Sequence, residues 1–108
     1  MRIAQAHTRA RVISSIRDLA DVLDRTQDIP IPEVVSLDLT YFPHGDDEER
    51  AAEVDRVADL IGTIPRFEGE HYVAEHRTGH AAYRVVAIFD DTLRHYQALM
   101  SYRDNVHP

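Results

Sequence analysis

Apolar and polar residues follow two different rhythms along this chain, and each predicts a different kind of element. From Thr8 to Arg25, Val12, Ile13, Ile16, Leu19, Ala20 and Leu23 recur at three- and four-residue steps, with Arg9, Arg11, Arg17, Asp18, Asp21 and Asp24 largely between them. That period predicts an amphipathic helix. Pro30 and Pro32 then hold the connector Thr26–Pro32 extended and prevent the helix from continuing. Next, Val35, Leu37, Leu39 and Tyr41 alternate with Ser36, Asp38 and Thr40, the two-residue period of a strand with one face on a core. Pro43 and Gly45 end it. From Asp46 the helical period returns in Ala51, Val54, Val57, Ala58 and Ile61, and Gly62 stands where a C-terminal cap is needed, so a second helix is expected over 47–61.

After Pro65, residues 70–78 and 82–89 read as two strands of a hairpin joined at Thr78-Gly79-His80-Ala81. The run Tyr83–Phe89 is apolar on both faces except for Arg84, as expected of an interior strand. Asp90-Asp91-Thr92 supplies cap chemistry for a last helix whose stripe is Leu93, Tyr96, Leu99 and Met100. The expected fold is α+β, one domain over 1–108, in the order α-β-α-β-β-α. A β-α-β crossover makes strands one and two parallel, and the hairpin makes strand three antiparallel to strand two. With the apolar third strand in the middle the order is 1-3-2, a split β-α-β arrangement that is ferredoxin-like without the fourth strand, helices on one face. Strands one and two would be edges open to a second copy or a partner.

Composition narrows the function classes. The chain has no cysteine, which excludes disulfides, thiolate zinc sites and cysteine nucleophiles. No apolar run is long enough to span a bilayer, and Met1–His7 lacks the hydrophobic core of a secretory signal, so a cytoplasmic protein is expected. All 12 basic residues are Arg, which reads as the mark of a GC-rich coding genome rather than a binding code. The net charge of −7 is uneven: residues 1–17 carry four Arg and no acid, and residues 18–66 carry thirteen acids against four Arg. An acidic surface with a basic N-terminal end disfavours general nucleic-acid binding, which depends on neutralising phosphates.

Four consecutive carboxylates, Asp46-Asp47-Glu48-Glu49, suit the first turn of a helix, where they face unpaired N–H groups and the positive end of the dipole. The alternative is a cation site using His44 or Asp38, but the spacing lacks the ligand alternation of a Ca²⁺ loop. Seven histidines are present, and His71 and His76, five apart on one strand, point to opposite faces. The 1-3-2 order puts His44, after strand one, beside the hairpin turn carrying His80. A cluster of His44, Asp46 and His80 would be the catalytic candidate, and His44, His80 and His76 the metal candidate, with a divalent ion as the one conceivable cofactor and none required. Scattered surface histidines are the plainer reading.

Glu68, Glu70 and Glu75 near the hairpin are candidate paired carboxylates, against which stands a solvated strand face. Tyr72, Tyr83, Tyr96, Tyr102, Phe67 and Phe89 lack the basic, Gly/aromatic strand motif of a base-stacking sheet and read as core. Arg2, Arg9, Arg11 and Arg17 read as a solvated helix face or a contact for an acidic partner. No Gly-rich phosphate loop, nucleophile elbow or paired-His helix motif occurs.

The phrases Asp18-Leu19-Ala20-Asp21-Val22-Leu23, Ile29-Pro30-Ile31-Pro32, Phe42-Pro43-His44-Gly45-Asp46 and Tyr83-Arg84-Val85-Val86-Ala87 together resemble short uncharacterised proteins of actinobacteria, often found among integrated phage or conjugative-element genes. The resemblance implies no activity, substrate or catalytic residue. The expected function is a protein-protein interaction or accessory module acting as a homodimer or through an exposed strand edge. The alternative from another class is a small metal-dependent or acid/base hydrolase at His44, Asp46 and His80. A third is regulation of DNA through a partner, or by an acidic surface that imitates it.

Overall fold

The computed structural model describes residues 3–89. Contacts divide the chain into two compact units, Met1–Val35 and Ser36–Pro108. The first holds helix α1, Ala6–Arg25. Its helical period runs as the sequence predicts, but Gln5 at the N-cap makes no side-chain capping bond and no α1 residue is buried. No helix among the described residues is long and apolar enough to cross a membrane.

In the second unit the described elements are β1 (Leu37–Tyr41), α2 (Asp47–Ile61), β2 (Arg66–Glu68), β3 (His71–Thr78) and β4 (Ala81–Ile88), forming a mixed sheet in the order β1-β4-β3-β2. The class is α+β, as expected. Two details correct the expectation. The sheet has four strands instead of three, because Arg66–Glu68 pairs antiparallel with His71–Val73 and converts one hairpin into a three-strand meander. And β1 runs parallel to β4, the third strand of the sequence reading, and so antiparallel to β3. The crossover rule itself holds. It applies to β2, the first strand after α2, which reverses the direction of everything that follows. The helix expected from Asp90, with Leu93, Tyr96, Leu99 and Met100, lies outside the described residues.

α2 starts and stops by local chemistry. The Asp46 carboxylate accepts from the Glu49 N–H at 2.8 Å and the Glu49 carboxylate accepts from the Asp46 N–H at 3.1 Å, a reciprocal capping box. Gly45 is required just before it: at φ 113° an added Cβ would lie 2.9 Å from the Glu49 Cβ and displace the capping side chain. At the other end Gly62 takes the left-handed cap conformation, and the Thr63 N–H closes onto the Ala58 carbonyl at 3.0 Å.

The apolar stripe of α2, Val54, Val57 and Ala58, buries against Ala74 of β3 and Val85 and Ala87 of β4, with Tyr41, Ile61, Tyr72, Tyr83 and Phe89 packed around them. Strand alternation sends Val73 and Val86, a register pair, to the opposite face, and they too are buried. The interior reading of β4 is therefore correct. Both hairpin turns place Gly first of two residues, Gly69-Glu70 and Gly79-His80, with positive φ of 61° and 57°, as a type II′ loop requires.

Candidate interaction site

The candidate site is the outer edge of β1. The Leu37 N–H donates to the His80 carbonyl at 2.8 Å, so Leu37, Leu39 and Tyr41 direct their backbone groups toward β4. Asp38 and Thr40 consequently direct theirs to the other side, where no strand pairs among the described residues. Leu37 and Leu39 project to the face that α2 covers, yet remain 54 % and 49 % exposed, because α2 packs over β3 and β4. Leu60 follows Glu53 by two helical turns, on the β1-facing flank of α2, and is 71 % exposed. An unpaired backbone edge thus runs beside an apolar strip.

The inner end of that strip is locked. The Tyr41 hydroxyl donates to Glu53 Oε2 at 2.8 Å, and Arg56 grips the same carboxylate from Nε and Nη2 at 2.6 and 2.9 Å. The Arg56 hydrogen bond chiefly holds the Glu53 carboxyl below its ordinary range, with Tyr41 adding to the effect against burial. Burial, and then the Glu53 hydrogen bond and charge, push the Tyr41 phenol up to about 12. Tyr41 is therefore a neutral donor that ties β1 to α2, with no tendency to act as a base. Tyr72 makes the matching tie on the other flank, donating to Asp55.

The face away from α2 carries a chain of charges across all four strands. Arg66 donates to Glu68 at 2.7 Å. Arg84 donates to Glu68 at 2.8 Å and to Glu75 at 2.6 Å, and Arg77 donates to Glu75 at 3.2 Å. Arg77 continues to the Ser36 hydroxyl at 3.2 Å, and Ser36 donates to Asp38 at 2.6 Å. The Arg84 hydrogen bond is the main cause that holds the Glu68 carboxyl low. Burial raises Glu75, but hydrogen bonds from Arg77 and Arg84 outweigh it and the net direction is down. Glu68 and Glu75, candidate catalytic carboxylates by sequence, do come together, but around one guanidinium. Both are ionised at neutral pH, so neither supplies a proton; their role is to fix strand register up to Asp38 at the edge.

Comparisons with protein-family models, curated proteins and solved structures find no match to this chain.

The histidine cluster is not assembled as expected. His80 sits at the start of β1, through its carbonyl bond to Leu37, whereas His44 follows Tyr41 at the strand's other end. About 13 Å of strand lies between Leu37 and Tyr41. The physical reason is the parallel β1–β4 pairing that the missed β2 imposes. Asp46 is near His44 in sequence, and its carboxylate is occupied in the capping box. His76 is exposed, and its Nε2 lies 3.3 Å from the Thr78 hydroxyl. Among the described residues no group of three His, Asp or Glu side chains converges as metal ligands.

Sequence reasoning missed Glu53, Arg56, Leu60 and the hub role of Arg84. For Arg84 a signal existed, as the one charge in an otherwise apolar strand. For Leu60 it was an apolar residue off the buried stripe of α2.

Proposed function

We propose that this protein is a protein-protein interaction module that takes up an extended segment of a partner along β1. The observation that carries the proposal is the edge of Asp38 and Thr40, which no strand pairs among the described residues, lying beside half-exposed Leu37 and Leu39. A strand added there gains backbone hydrogen bonds for affinity and alternate side-chain contacts for specificity. The segment that fits is apolar at every second position, to meet Leu37, Leu39 and Leu60. It carries Arg or Lys at its ends, because this chain has a net charge of −7. The ties at Tyr41 and Asp38 hold the edge in place before binding, so little ordering free energy is spent on the receptor side. A cysteine-free chain of this kind suits a cytoplasmic setting.

The test is a titration with a synthetic peptide of alternating Val and Thr flanked by Lys, followed through backbone amide signals and hydrogen exchange. Protection gained at the Asp38 and Thr40 amides is the expected result. Thr40→Pro removes one outward N–H while leaving the β4 pairing intact, and should abolish that protection without unfolding the sheet. Binding that maps elsewhere, or survives Thr40→Pro unchanged, contradicts the proposal.

A further inference from the structure

We infer that α1 pairs with α1 of a second copy of this chain, in antiparallel orientation, through the stripe Val12, Ile16, Leu19 and Leu23. The inference is independent of the β1 edge. Val12, Ile16 and Leu19 are 37 %, 45 % and 48 % exposed, and Leu23 is half-buried, so the helix carries an apolar face that is not buried. Their spacing alternates between four and three residues, the a/d pattern of a two-helix seam, and it extends back one step to Arg9.

Charge selects the occupant. Arg9 stands in the first turn of α1 and Asp24 in the last, each at the end of the helix dipole that its own sign opposes. Neither makes an ion pair among the described residues, whereas Arg25 and Asp21 hold each other at 3.1 Å. In an antiparallel pair with Ile16 opposite Leu19 of the second copy, Val12 meets Leu23. Arg9 then comes level, within about 3 Å in height, with Asp24 of the second copy on the same flank of the seam. Arg9 also approaches the negative end of the second helix, and two-fold symmetry repeats both contacts. A parallel pair would stack Arg9 on Arg9.

The test is sedimentation of the intact chain from about 5 µM to about 1 mM, a range wide enough to span weak self-association. Concentration-dependent dimerisation is expected. Arg9→Asp and Asp24→Arg should each weaken it by about tenfold or more, although each improves the charge on an isolated helix. The double variant Arg9→Asp/Asp24→Arg should restore it. Since the chain has no cysteine, a mixture of Val12→Cys and Leu23→Cys proteins should cross-link to each other in preference to themselves. A monomer throughout the range overturns the inference, as does a dimer that ignores the charge swaps. A dimer abolished by Thr40→Pro instead assigns self-association to the β1 edge.

Discussion

The two helices of this protein are built on opposite plans. α2 begins with a reciprocal capping box, carries Asp47, Glu48 and Glu49 in its first turn where the dipole favours them, ends on a left-handed glycine and buries Val54, Val57 and Ala58. α1 is longer by five residues, yet begins at Gln5 without a side-chain cap, has no acid in its first turn and buries nothing. Local chemistry and packing therefore agree in α2 and disagree in α1. A short helix in water is stabilised mainly by what its apolar face packs against, and no residue of α1 is buried. The difference teaches where the protein is complete and where it calls for company.

The strongest way to break this comparison is to put the same lesion into both stripes. Val54 is fully buried, so Val54→Asp should abolish cooperative unfolding of the sheet unit, a loss of more than about 4 kcal/mol. Ile16→Asp should leave the sheet unit's thermal transition within about 0.5 kcal/mol of wild type in dilute solution. Equal damage from the two substitutions would erase the distinction. Next in size is Arg84→Met, which strands Glu68 and Glu75 on the open face of the sheet. A loss of about 2 kcal/mol in urea unfolding is expected, with both carboxyls titrating at higher pH by NMR.

Acid should act on the second unit in a defined direction. Glu53, Glu68 and Glu75 have folded values below their ordinary ones, so their contribution is present above the unfolded value and lost as pH falls through the folded value. Stability of the sheet unit should therefore decline on acidification below about pH 5. Glu68→Gln with Glu75→Gln should flatten that decline, and an unchanged slope would remove the charge chain from the account. The smallest effects concern the caps. Asp46→Ala should destabilise α2 by about 1 kcal/mol, whereas Gln5→Asp should stabilise α1 by about 0.5 kcal/mol, read as helicity by circular dichroism.

Much of the fold is legible in the sequence, and what is missed in the strand arrangement has a single physical origin. The carboxylates at Asp46–Glu49 and the cap at Gly62 mark α2 at the observed bounds, and the alternation through Tyr41 marks β1. The three residues Arg66-Phe67-Glu68 are too few to show a period, so β2 goes unread, although Gly69-Glu70 repeats the turn chemistry of Gly79-His80. Missing one short strand reverses the direction assigned to β3 and β4, and that reversal is what brought His44 and His80 together on paper. The charge chain was hidden for a different reason. Glu68, Glu75 and Arg84 are distant in sequence and meet only once three strands are in register. The apolar face of α1 is plain in the sequence, but periodicity says that a face exists and nothing about what covers it.

The contrast between the helices is tested most directly by amide hydrogen exchange on the intact chain at two protein concentrations about a hundredfold apart. Protection of the α2 amides should be the same at both, and protection of the α1 amides should rise with concentration as second copies pair. Equal protection of α1 at both concentrations would contradict the account, because it would mean that the helix is covered within its own chain.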